Sequence, residues 1–429
     1  MTADVISLLA CQDARRANDV SCRAGDTRKS LPGERGSAVS IGRVKYLVLV
    51  PDGAADQPLS ELGGRTPLEY ASMPTFAKLA SRAEVGRAAV IPPGFPPGSD
   101  VGNMAIMGFD PSRYHTGRAP IEAAAMGIDL ADDEVAYRCN LVTVVDGVMA
   151  DFSAGHIPTE LATPIIEAVN AELSSDGIRF VPGVMYRHIM VAPRELGEAR
   201  CSPPHDISDD PIVLPTGPAA PQLISLMERS VPIVSSVAAE VGAEATQIWL
   251  WGQGTRPQLE RFDQRYGVSG GLVTAVDLLR GLGVLTGLDV VEVEGATGYY
   301  DTNYEGKRDA ALRHLQDDDF FLLHVEASDE AGHNGDIDAK VKALENWDSR
   351  ILEPLLEGLT DMGPYRMLVM PDHPTPVALK THTSDPVPYM MVDSTVDGPG
   401  GQFTEAFTAN APVQVAYDLL PRMIRSGLK

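Results

Sequence analysis

Continuous apolar runs mark three places along the chain. Residues 46–50 read YLVLV, Phe320–Val325 reads FFLLHV and residues 367–370 read MLVM. A short run that is apolar at successive positions, with no alternation, fits a strand buried on both faces. Each run stops at a turn that carries an acid: Pro51-Asp52-Gly53, Glu326-Ala327-Ser328-Asp329 and Pro371-Asp372-His373. Between the last two, Val341, Leu344, Trp347, Ile351 and Leu355 recur at helical spacing. Strands that alternate with helices predict an α/β fold, a mostly parallel sheet covered by helices on both faces.

The middle of the chain has its own strand and helix runs at 141–145, 184–191, 248–251 and 272–281, punctuated by Pro203-Pro204, Pro211 and Pro215. Units of strand plus acid lie on both sides of it. The simplest organisation is one α/β domain built from 44–118 and 293–429, interrupted by an inserted smaller α/β domain at 119–292. Residues 1–43 show neither period. Val5 to Ala10 is too short and lacks the basic start of a secretory signal, and Asp13, Asp19, Asp26 and Glu34 argue against a transit peptide. They are expected to form a disordered extension; a regulatory arm is the other reading.

Composition narrows the function. Of 429 residues, 35 are basic and 59 acidic, a net charge of −24. Such a field repels phosphate polymers and anionic lipid, so neither nucleic acid nor membrane is an expected partner. No stretch approaches the roughly 20 apolar residues that span a bilayer. Cys11, Cys22, Cys139 and Cys201 form no CxxC pair, which suits a reducing cytoplasm. A phosphorylated small molecule would need a local group of cations to hold it.

The acids supply a place for such cations. Asp52, Asp329 and Asp372 each follow a buried strand, and ligands of open parallel sheets bind outside the carboxyl ends of the strands. Three carboxylates gathered there repel one another unless a cation holds them. His333 stands four residues after Asp329, His373 follows Asp372, and His382 lies in THTSDP. Mixed carboxylate and imidazole donors suit Mn²⁺, Zn²⁺, Co²⁺ or Fe²⁺ better than Ca²⁺ or Mg²⁺. Two such sets suffice for two ions about 4 Å apart, a spacing that clamps a phosphoryl group. Any one of these acids, taken alone, reads as a helix cap or turn residue.

Ser99, in PPGSDVGN, follows prolines and precedes a helical pattern. It therefore sits near a helix N-terminus, where free N–H groups favour an alkoxide or a phosphate. A plain N-cap serine reads the same way. The stretch is not G-x-S-x-G, there is no GxxxxGK[ST], and WGQG lacks the third glycine of a dinucleotide motif.

The segments VPDGAAD, PPGSDVGNMAIMGFDP, YHTGRAPIEA, SAGHI, YRHIMV, PPHDIS, WLWGQG, ATGYYDTNYEGK, DEAGHNGD and PDHPTP…THTSDPVPY together resemble the archaeal-type 2,3-bisphosphoglycerate-independent phosphoglycerate mutases of the alkaline-phosphatase superfamily. The resemblance runs from about Lys45 to the C-terminus and leaves out 1–43. It implies a two-metal enzyme, with Mn²⁺ first and Zn²⁺, Co²⁺ or Mg²⁺ behind it. Such an enzyme interconverts 3- and 2-phosphoglycerate and needs no 2,3-bisphosphoglycerate. Asp52, Ser99, Asp372 and His373 are then expected on one metal, and Asp329, His333 and His382 on the other. Ser99 is expected to carry the phosphoryl group. His156, Arg187, His188 and Lys307 are expected to hold or polarise the substrate, with Arg138 and Arg256 weaker candidates. A phosphotransferase or phosphatase acting on another phosphoester, in a homoserine-kinase-like role, is the alternative.

Overall fold

The three apolar runs are adjacent strands in the computed structural model, which describes residues 43–175 and 177–428. Lys45–Pro51 is flanked by Phe320–Val325 and Tyr365–Val369, both parallel to it. Beyond Phe320–Val325 lie Gly270–Val273 and Asp289–Val290, again parallel. Beyond Tyr365–Val369 lie Val387–Asp393, Glu84–Ala89 and Val413–Val415, and of the eight strands only Val387–Asp393 runs the other way.

Alternation explains why these strands are apolar throughout. Leu47, Leu49, Phe321, Leu323, Met367 and Val369 enter one core cluster, under the helices Tyr304–Asp317, Ile337–Asn346 and Glu353–Leu359. Val48, Val50, Phe320, Leu322 and Leu368 enter another, under the helices Ser99–Ile106, Asp277–Thr286 and Leu419–Ser426. Each such side chain contributes roughly 1.5–3 kcal/mol when fully buried. Parallel strands with covered faces also point their carboxyl ends one way, so Asp52, Asp372 and the turn leading to Asp329 arrive at a single edge.

A second sheet of five strands is antiparallel. Glu134–Val145 pairs with Val148–Asp151, Arg187–Pro193 and Gln247–Gly254, and Arg179–Val184 adds to Arg187–Pro193. One face packs on the helices Thr159–Leu173 and Ala220–Val241 through residues such as Tyr137, Ile166, Leu223 and Trp249. This sheet occupies 134–254, narrower than the expected 119–292. Gly270–Val273, Asp289–Val290 and the helix between them belong to the larger sheet instead. The run at 272–281 thus splits into the end of a strand and the start of a helix, and the strand pairs with Phe320–Val325.

The expected extension at 1–43 lies outside the described residues except for Arg43, whose guanidinium pairs with Asp319 at 3.4 Å. Among the described residues, no helix is long and apolar enough to cross a membrane.

Candidate active site

The strand ends deliver two interlocked groups of donors. Asp52, Asp372 and His373 form one, with ligand atoms within 4.8 Å of one another and all three residues buried. His373 Nε2 lies 3.4 Å from Asp372 Oδ2 and 3.7 Å from Asp52 Oδ1. Gly53 N–H donates to Asp372 Oδ1 at 3.3 Å. Gly53 has φ +60, and a Cβ there would sit 2.6 Å from Asp329 Oδ1, so this turn admits no larger residue.

The second group comes from the helix Ala327–Asn334 and the loop after Thr381. A spacing of four residues puts Asp329 and His333 on one helix face, 3.3 Å apart. His382 Nε2 is 2.9 Å from His333 Nε2 and 3.5 Å from Asp329 Oδ1. His333 Nδ1 faces the Lys380 carbonyl at 3.1 Å and donates to it, which leaves Nε2 free to ligate. The two groups touch: His373 and His382 rings are 4.0 Å apart between centroids.

Ser99 opens the helix Ser99–Ile106 behind Gly98, so it occupies the first helical position and not the cap. Its Oγ lies 3.3 Å from His373 Nε2. The helix fits this close because Gly102 has no Cβ; one would meet the Asp372 carbonyl oxygen at 2.4 Å. Asn103, one turn on, donates its amide to Ser99 O at 3.0 Å and to Asp372 Oδ2 at 2.9 Å. Asp100, directly after Ser99, is buried and accepts from His115 at 2.8 Å. Burial opposes its ionisation, but Arg118 and His115 hold its carboxyl well below the usual range.

The expected substrate residues fall into two settings. Arg138 and Arg187 project from the face of the second sheet opposite its helices, with Ile189 and Val191. Arg138 stacks on Trp251 at 4.4 Å, with Nε 3.0 Å from Glu122 but not aligned for a hydrogen bond. The Nε atoms of Arg118, Arg138 and Arg187 are buried and have no hydrogen-bond partner among the described residues. His188 accepts from Gly183 N–H through Nδ1, and burial pushes its pKa down to about 3. His156 is exposed, in a turn with φ 52, beside Ser153 and Phe152. Arg256 pairs with Asp129 at the surface.

Lys307, expected beside the substrate, is fully buried. Its ammonium donates to Glu326 Oε2 at 2.9 Å and to the His324 carbonyl at 3.0 Å. Glu326 in turn faces His324 Nδ1 at 3.1 Å, and His324 Nε2 comes within 3.2 Å of Asp52 Oδ2.

Electrostatics indicate what the cluster suits. Burial drives the Asp52 carboxyl well above its ordinary range, and the negative Asp372 and Asp329 push the same way. Among the described residues, Asp52 Oδ1 has no hydrogen-bond partner. Burial likewise opposes ionisation of Asp329, but the imidazoles of His333, His382 and His373 around it outweigh it and hold its carboxyl well below the usual range. An orphaned, buried carboxylate oxygen among nitrogen and oxygen donors fits a divalent cation.

Several residues of this arrangement were not singled out as site residues in the sequence. Asn103 repeats Ser99 at i+4, a spacing that could have drawn notice. His324 is the polar residue in an otherwise apolar strand. Arg118, in TGRAP, and His205, in PPHDIS, stand in segments that carry the resemblance, but nothing in their local pattern points to the site. Burial lowers the His205 pKa to about 4, and the cations Arg118 and Arg138, together with His382, push it the same way. Thr375 had no signal beyond standing two residues after His373.

A family model described as 2,3-bisphosphoglycerate-independent phosphoglycerate mutase matches residues 80–238. A protein of that name from Methanosarcina acetivorans is 45% identical over 398 residues, 89% of this chain and 100% of its own. One from Methanosarcina mazei is 48% identical over 374 residues, 85% of this chain and 94% of its own. A solved cofactor-independent phosphoglycerate mutase from Thermoplasma acidophilum superposes with a TM-score of 0.61 at 26% identity, covering 89% of this chain and 100% of that one.

Proposed function

The chain belongs to the 2,3-bisphosphoglycerate-independent phosphoglycerate mutases, and on that premise we propose how its own residues carry the interconversion of 2- and 3-phosphoglycerate. Asp52, Ser99, Asp372 and His373 would hold one divalent cation, and Asp329, His333 and His382 a second. Bound there, two such ions supply positive charge to phosphoryl oxygens and favour the alkoxide of a nearby hydroxyl; mixed oxygen and nitrogen donors make Mn²⁺ the leading choice.

The Ser99 hydroxyl is the nucleophile. It gives up its proton and attacks phosphorus, the bond to the glycerate oxygen breaks, that oxygen takes up a proton, and the phosphoryl group rests on Ser99 as a phosphoserine. The free N–H groups of the helix that Ser99 opens receive its oxygens. Glycerate then offers its other hydroxyl and takes the group back. It must stay bound meanwhile, which is the task of the guanidiniums of Arg118, Arg138 and Arg187, whose Nε atoms make no hydrogen bond among the described residues, assisted by His156 and His188. Water must be kept out, or the intermediate hydrolyses. A cytoplasmic setting fits Cys139 and Cys201, both free thiols.

The observation that carries this reading is the Ser99 Oγ to His373 Nε2 distance of 3.3 Å, beside two interlocked groups of Asp and His. The test is Mn²⁺-loaded protein on 3-phosphoglycerate, coupled to enolase. Steady phosphoenolpyruvate formation supports the reading. Inorganic phosphate in its place would make the protein a phosphatase and overturn it.

A further inference from the structure

Thr375 stands between the two groups of donors and touches both. Its Oγ1 donates a hydrogen bond to Asp329 Oδ1 and lies 3.2 Å from His373 Nδ1. The residue is fully buried. A threonine hydroxyl has one hydrogen. An ionised carboxylate can only accept, so that hydrogen goes to Asp329. The remaining contact, with His373, is then made by an oxygen lone pair, and Nδ1 must be the nitrogen that carries hydrogen. A neutral His373 is left with its lone pair on Nε2, the atom nearest Asp52, Asp372 and Ser99.

We propose that Thr375 is a positioning residue: its single hydroxyl hydrogen assigns His373 to the Asp52–Asp372–Ser99 group through Nε2 and withholds Nδ1 from the Asp329–His333–His382 group. Proximity alone leaves His373 ambiguous, because it belongs to both possible donor groups, with Nδ1 3.9 Å from Asp329 Oδ1. The hydroxyl removes the ambiguity and fixes the aim of one ligand from each group.

The surroundings hold Thr375 in place. Its amide donates to Ala55 O at 3.2 Å, and its carbonyl accepts from Lys340 Nζ at 2.8 Å. Lys340 is buried and paired with Asp56 at 2.7 Å, and Asp56 also accepts from Val377 N–H. Gly332 packs directly on the Thr375 carbonyl, where a Cβ would lie 2.3 Å away. These contacts fix the Thr375 backbone, and so the place from which its hydroxyl reaches Asp329 and His373.

The inference rests on the metal reading above, but part of its test does not. A long-range ¹H–¹⁵N spectrum of the metal-free protein at about pH 8, where an ordinary histidine is neutral, reads the His373 tautomer, with His373→Asn assigning the signals. Protein with an Nδ1–H His373, and a mixture of tautomers in Thr375→Val, is the expected result. An Nε2–H ring in the unaltered protein would overturn the proposal. Mn²⁺ titration followed by electron paramagnetic resonance is the second readout. Thr375→Val keeps the shape and should lose about 10- to 100-fold in affinity at one site, whereas Thr375→Ser should bind as the parent does. Two ions bound equally well by parent and valine variant would overturn the positioning role while leaving the metal reading intact. If the parent takes up no Mn²⁺, the metal reading fails, and the tautomer alone decides the case for Thr375.

Discussion

The Ser99 hydroxyl stands 3.3 Å from His373 Nε2 although 274 residues of chain separate them. The approach depends on Gly102, which lets the serine helix rest on the Asp372 backbone, and on Asn103, which ties helix and carboxylate together. If Ser99 is the nucleophile, Ser99→Ala should lower kcat by on the order of 10⁴-fold. The circular dichroism spectrum should not change. Phosphopeptide mapping after brief exposure to 3-phosphoglycerate should find the modification at residue 99 in the parent and nowhere in the variant. A variant that keeps a tenth of the rate removes Ser99 from that role.

Arg187 offers a buried Nε without a partner, and its nearest acid, Asp277, is 3.8 Å away. A guanidinium so lightly engaged is available to an anion. Losing one charge-assisted hydrogen bond costs about 1.5–3 kcal/mol. Arg187→Met should therefore raise KM for 3-phosphoglycerate by roughly 10- to 100-fold and change kcat far less. An unchanged KM would place the substrate elsewhere.

Lys307 separates a structural role from a substrate role. Its ammonium and Glu326 are both buried, 2.9 Å apart. Burial opposes ionisation of Glu326, yet Lys307 and His324 hold its carboxyl well below the usual range. Removing one partner of a buried pair typically costs about 3–5 kcal/mol. Lys307→Met should show that loss in urea unfolding of the metal-free protein. A weakened KM with unaltered stability would return Lys307 to the substrate.

Glu405 makes stability depend on pH. It accepts from Asp56 N–H at 2.9 Å and from Thr66 Oγ1 at 2.7 Å. Burial nonetheless pushes its pKa up to about 7, from 4.5. The folded state thus binds the proton more tightly than the unfolded chain. From this group, stability is fully present below pH 4.5 and is lost as pH rises towards 7, by about 3 kcal/mol at most. Glu405→Gln should flatten the unfolding free energy across that window, measured by urea titration at several pH values. A parallel slope in parent and variant would mean that Glu405 ionises normally.

Much of this architecture is legible in the sequence because it depends on short-range pattern. Doubly buried strands must be apolar at every position, so 46–50, Phe320–Val325 and 367–370 declare themselves, and each acid-bearing turn follows directly. Asp329 and His333 are one helical turn apart and so predict their own pairing. What escaped depends on contacts between distant segments. The run at 272–281 is visible, but that Gly270–Val273 pairs with Phe320–Val325 in the larger sheet is a backbone contact its own residues do not specify. Thr375 gains its place only when the turn after Gly53 folds against it. The environment of Lys307 depends on Glu326, 19 residues away and on another element.

The central claim is that two cations face one serine. Crystals grown with Mn²⁺, measured above and below the manganese absorption edge, test it most directly. The account predicts two anomalous peaks about 4 Å apart, one contacting Asp52, Ser99, Asp372 and His373 and the other Asp329, His333 and His382. A single peak, or none within reach of Ser99, would contradict it.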